Sequence, residues 1–82
     1  MARTHPQITL FTTEWCGYCR RLKRQLDEAG LQYSEVDVDV ETQYGSRIMA
    51  VTGGYRTVPS VDVEGRLLVN PSLDEVVAAV GG

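Results

Sequence analysis

The sequence predicts an α/β domain in which a mixed four-stranded sheet carries three helices, in the order β-α-β-α-β-β-α. Three observations predict it. β-branched runs alternate with segments of helical apolar spacing, the pair Glu64-Gly65 separates two short apolar runs, and Ser72 with Glu75 has the spacing of a helix cap. The first half reads as a βαβ unit, which needs a right-handed crossover and a parallel strand pair. The second half adds an antiparallel hairpin and a covering helix.

Each element has its own signal. Gln7 to Thr12 (QITLFT) is β-branched and aromatic and predicts a strand that leads through Thr13 and Glu14 to the cysteine pair. Tyr18, Leu22, Leu26 and Ala29 recur at helical spacing before Gly30, which predicts a first helix with Cys16 at its start. From Tyr33 to Glu41 the chain alternates, with Ser34, Val36, Val38 and Val40 on one side and Glu35, Asp37, Asp39 and Glu41 on the other, as in a strand whose acidic side faces water. Tyr44, Ile48 and Val51 predict a short second helix ahead of Gly53-Gly54, although Gly45 weakens it from inside. Ser60 to Val63 and Arg66 to Val69 are the two arms of the hairpin. Ser72 and Glu75 then open a last helix with the apolar stripe Leu73, Val76, Val77 and Val80, which Gly81 ends.

With 82 residues the chain is expected to form one domain over 1–82, with residues 1–6 as a frayed tail. A domain of this size buries only about 60% of its unfolded surface. A net charge of −3 argues against a nucleic-acid partner, because phosphate backbones require clustered cations. No apolar run approaches the ~20 residues that a membrane-crossing helix needs, and MARTHPQ lacks the apolar core of a signal peptide. A cytoplasmic location is the expectation, with no membrane partner.

Two cysteines three positions apart cannot form a framework of structural bridges, so redox or metal chemistry is the better reading. A helix start offers unpaired N–H groups and the positive end of the dipole, which favour a thiolate at Cys16. At 3.6 residues per turn, Cys19 shares an arc with Tyr18, Leu22 and Leu26, whereas Cys16 falls nearer Arg20 and Lys23. Cys16 is thus expected to be accessible and nucleophilic, and Cys19 shielded and protonated. That asymmetry suits thiol–disulfide exchange through a mixed disulfide. A zinc site is the competing reading, but it wants four ligands and the chain's one histidine is His5, so no metal is expected.

The stretch ITLFTTEWCGYC, followed by Thr57-Val58-Pro59 ahead of a hairpin, resembles the glutaredoxin family of the thioredoxin-like superfamily across nearly the whole chain. The resemblance implies a thioredoxin-like fold. It also implies that Pro59 is cis beside the redox site, and that Thr57, Val58 and Pro59 meet the peptide-like part of a substrate. Many glutathione users carry a lysine three positions before the first cysteine and a Gly-Gly pair at the last helix. Here those places hold Thr13 and Asn70-Pro71. With Trp15 before Cys16 and Asn70-Pro71-Ser72 before the last helix, the chain looks more like the mycoredoxins, which use mycothiol. The resemblance therefore implies a monomeric enzyme that takes mycothiol as co-substrate, binds no tight cofactor and acts on S-thiolated proteins.

Trp15 and Tyr18 flank the cysteines and are candidates for a substrate wall, against an alternative as ordinary packing groups. Arg20 is a candidate through its proximity to Cys16, while Arg21, Lys23 and Arg24 read as the wet face of the first helix. Asn70 and Ser72 complete the candidate substrate-binding set. Two other activities fit the same resemblance: an NrdH-redoxin-like dithiol electron donor reduced by thioredoxin reductase, and a dimer in which Cys16 of two copies bridges an iron–sulfur cluster with two external thiols.

Overall fold

The computed structural model describes residues 7–81, so His5 and the expected frayed tail at 1–6 lie outside the described residues. Strand β1 (Ile8–Thr12) is followed by helix α1 (Gly17–Glu28), strand β2 (Ser34–Asp37), helix α2 (Thr42–Thr52), strands β3 (Ser60–Val63) and β4 (Arg66–Val69), and helix α3 (Leu73–Gly81). This is the predicted order. The sheet runs β2-β1-β3-β4, with β1 parallel to β2 and the other two pairings antiparallel.

Pairing explains where the site forms. Because β1 and β3 are antiparallel with Phe11 opposite Ser60, the exit of β1 lies beside the entry of β3. Cys16, just past β1, and Pro59, just before β3, are brought to one end of the sheet.

Alternation along the strands divides the core between the two faces of the sheet. Ile8 and Leu10 of β1 and Val61 and Val63 of β3 pack with Leu22 and Leu26 of α1 and Val76 of α3. On the opposite face Phe11, Val38 and Ile48 form a second cluster, joined by Tyr44 of α2, whose ring centroid lies 5.5 Å from that of Phe11. The hairpin turn has φ of 54° at Glu64 and 89° at Gly65, the two left-handed residues that a tight two-residue turn requires. At α3 the capping box is complete: Ser72 Oγ accepts from Glu75 N at 3.2 Å, and Ser72 N donates to Glu75 Oε1 at 3.0 Å.

Three expectations need correction. The second strand stops at Asp37, four residues before the alternation does, because the Asp37 carbonyl accepts from Val40 N and Glu41 N while its side chain accepts from Asp39 N at 2.9 Å. That turn buries Val38, whose N–H donates to the Thr12 carbonyl at 3.0 Å, and leaves Val40 exposed. On α1 Tyr18 is exposed, as is Ala29 at the C-cap, and the buried positions are Cys19, Leu22 and Leu26. The exposed Val51 lies in the last turn of α2 beyond the buried cluster, and the half-exposed Val77 lies on the flank of an α3 stripe made by Leu73, Val76 and Val80.

Candidate active site

Cys16 occupies the N-cap position of α1, with extended backbone angles (φ −87°, ψ 110°). Its sulfur does what a serine or aspartate oxygen does at other caps: Sγ accepts from the Cys19 backbone N–H at 3.1 Å. A thiolate at this place has a directed N–H donor and the helix dipole beneath it. The Val58 carbonyl lies 3.8 Å from the same sulfur, and the Val58–Pro59 peptide is cis. Expected to be accessible, Cys16 is in fact 5% exposed, because its sulfur turns back onto its own helix and against Val58.

Cys19 is more enclosed still, at 1% exposed. Burial pushes its thiol up to about 11, the hydrogen bond with Cys16 pushes in the same direction, and contacts with the Thr12 hydroxyl and the Thr13 backbone oppose both. Two sulfurs three residues apart therefore sit in different environments. One caps a helix against the Val58 carbonyl; the other is held as a thiol on that helix's buried face.

Beside them runs a groove of about 380 Å³ lined by Tyr18, Arg21, Gln25, Pro59, Asn70 and Ser72, among others. The Asn70 N–H donates to the Pro59 carbonyl at 2.9 Å, which ties the end of β4 to the segment before β3 and closes the groove on that side. Asn70 takes a left-handed φ of 49° to do so. Tyr18, 74% exposed, stands at the groove as a surface ring and not as a core residue. Thr57 is half-buried and its carbonyl accepts from Ser60 Oγ at 2.7 Å. The Ser72 hydroxyl is engaged in capping α3.

The basic residues fall out differently from the sequence reading. Arg20 Nη1 donates to the Glu14 carbonyl at 3.0 Å, so Arg20 braces the turn before Cys16. Lys23 pairs with Glu35 at 3.1 Å and does not serve Cys16. Thr13, at the place where many glutathione users have lysine, is 5% exposed, and its Oγ1 has no hydrogen-bond partner. Among the described residues no three His, Cys, Asp or Glu side chains stand together as a metal site.

Two residues near the site escaped the sequence reading. Trp15, 73% exposed, donates from Nε1 to Asp39 Oδ2 at 3.0 Å, and Arg56 Nη2 meets Asp39 Oδ1 at 3.3 Å. Asp39 read as one of four solvated acids, and nothing in the sequence singled out Arg56. The signal that pointed to them was Gly45, a glycine inside a helix, whose place is covered by the Arg56 side chain.

The glutaredoxin family model matches residues 8–68 of this chain. The chain belongs to the glutaredoxin family. A protein of Mycobacterium tuberculosis that carries the glutaredoxin name is 46% identical over 72 residues, covering 87% of this chain and 86% of that protein. Mycoredoxin 1 of Corynebacterium glutamicum is 38% identical over 74 residues, covering 89% of this chain and 91% of its own length. Among solved structures, the Archaeoglobus fulgidus glutaredoxin matches with a TM-score of 0.75 at 13% identity, covering 96% of this chain and 90% of that one, a likeness of fold. As a glutaredoxin with the thioredoxin-like fold, the protein is a thiol–disulfide oxidoreductase. No helix among the described residues is long and apolar enough to cross a membrane.

Proposed function

We propose that this glutaredoxin reduces mixed disulfides between proteins and mycothiol, with Cys16 as the attacking sulfur. The observation that carries the reading is the asymmetry of the two cysteines: Cys16 Sγ receives the Cys19 N–H at the helix cap, while the thiol of Cys19, the more deeply buried of the two, is pushed up to about 11. A thiolate at Cys16 attacks the small-thiol sulfur of the mixed disulfide, the S–S bond breaks, and the protein leaves as a thiolate that takes a proton from water. A second mycothiol thiolate then attacks the adduct, releases oxidised mycothiol and restores Cys16. Alternatively Cys19 attacks the Cys16 sulfur, releases the small thiol and closes an internal disulfide.

The choice of thiol is supported from two sides. Mycoredoxin 1 of Corynebacterium glutamicum aligns over most of both chains, and the two places that differ from glutathione users, Thr13 and Asn70-Pro71, border the site. Thr13 buries a short hydroxyl where a lysine would present a cation for a carboxylate. The groove at Tyr18, Pro59 and Asn70 is the proposed seat of the small thiol, and Val58 the proposed backbone contact. The cytoplasm supplies the reducing pool that this cycle consumes. Assaying the reduced protein side by side on mixed disulfides of mycothiol and of glutathione tests the reading. Faster turnover of the mycothiol substrate is expected, and a preference for glutathione overturns the choice of thiol. Direct reduction by thioredoxin reductase with no small thiol present favours the dithiol-donor activity instead.

A further inference from the structure

We propose that Asp39 is a positioning residue of the active site, which holds Trp15 and Arg56 together as one fixed wall beside Cys16; the proposal rests on the thiol–disulfide exchange of the family. Trp15 immediately precedes Cys16, and Arg56 stands two residues before Val58, whose carbonyl lies 3.8 Å from the Cys16 sulfur. The wall thus joins two chain segments that border the reacting atom. Both carboxylate oxygens of Asp39 are used, one on the Trp15 indole N–H at 3.0 Å and the other on the Arg56 guanidinium at 3.3 Å.

An exposed ion pair contributes little to stability, so fold maintenance does not explain the arrangement. Three features converge on it from different elements. First, an indole that is 73% exposed gains little from burial and keeps its rotamer freedom unless something tethers it. Second, Asp39 is presented by a fixed turn, because its own N–H donates to Asp37 Oδ1 at 2.9 Å. Third, Gly45 lies inside α2, where alanine is the better helix former, and a Cβ there would stand 2.8 Å from Arg56 Cδ. Gly45 leaves room for the Arg56 stem to lie against the helix and reach Asp39.

A wall whose side chains are already ordered lowers the freedom lost when a mixed disulfide docks. Its removal therefore weakens binding and spares the step at sulfur. The test uses the full chain with Asp39→Ala and Gly45→Ala. Trp15 is the chain's single tryptophan, so its indole N–H resonance reports the tether without ambiguity. In Asp39→Ala that resonance is expected to shift and to exchange faster with solvent. KM for a peptide mixed disulfide is expected to rise about three- to five-fold, with kcat near wild type. Gly45→Ala is expected to raise KM in the same direction while thermal stability stays equal or increases, because alanine favours the helix while its Cβ displaces Arg56.

Unchanged KM in both variants overturns the proposal, as does a fall in kcat at constant KM. So does a Gly45→Ala variant whose KM rises only in step with lost stability, which makes the residue a structural one. If the wild type turns over no small-thiol mixed disulfide at all, the proposed function fails. The indole resonance and the KM for a protein disulfide then still decide the role of Asp39.

Discussion

Replacing Cys19 by alanine should flatten the alkaline fall in stability of this protein. The thiol is 1% exposed and is pushed from 9.0 up to about 11, mainly by burial. A group held protonated by the fold stabilises the native state fully below its unfolded value and loses that contribution as pH rises through the folded value. The window is therefore pH 9 to 11. Two pH units at 1.36 kcal/mol each correspond to about 2–3 kcal/mol of stability lost across it through this one group. Tyr33, bonded to Asp27 and also pushed up, to about 12, adds a second loss from pH 10 upward, but it does so in wild type and variant alike. The comparison thus cancels Tyr33 and leaves the Cys19 thiol together with its interaction with Cys16. Urea unfolding of the reduced proteins at steps from pH 7 to 11 gives both curves. The variant should start lower, through the lost sulfur packing, and decline less. Parallel curves would refute the claim that Cys19 is held as a buried thiol.

Cys16→Ser should abolish disulfide-reductase activity, because the enclosed Cys19 cannot present a thiolate to substrate; substantial residual turnover would reverse the roles of the two sulfurs. Leu26→Ala, which empties a fully buried place between α1 and the sheet, should cost about 2–5 kcal/mol in urea unfolding, and a loss below 1 kcal/mol would contradict the packing described. Ser72→Ala removes the oxygen that accepts the Glu75 N–H and should cost about 1 kcal/mol, read as a lower urea midpoint at unchanged slope.

What was legible in the sequence was what local chemistry dictates. The hairpin at Glu64-Gly65 and the Ser72–Glu75 cap each lie within four residues, and the structure reproduces both. The cysteine pair was legible only in part, since its place at a helix start is local, whereas the 5% exposure of Cys16 depends on Val58, 42 residues away. Periodicity overran in β2, where the alternation persists to Glu41 although the Asp37 carbonyl and side chain turn the chain four residues sooner. Helical spacing likewise put Tyr18 on the arc of Leu22, but only the sheet's extent decides which end of that arc is covered. The approach of Val58 to Cys16 spans 42 residues and came from the family resemblance, since it depends on the antiparallel pairing of β1 with β3. The Trp15–Asp39–Arg56 contact left no periodic trace at all. Its one sequence mark, Gly45, reads as a weak place in a helix until the Arg56 side chain is seen lying across it.

In the proposed cycle Cys16 alone performs exchange with a mycothiol mixed disulfide, while Cys19 serves the internal-disulfide route. Cys19→Ser tests it most directly, assayed on a mycothiol mixed disulfide with free mycothiol present and, separately, on an ordinary protein disulfide without it. The variant should keep or exceed wild-type turnover of the mixed disulfide, because no enzyme is diverted into the Cys16–Cys19 bridge, and should lose reduction of the protein disulfide. Loss of both activities together would contradict the account and favour a dithiol electron donor.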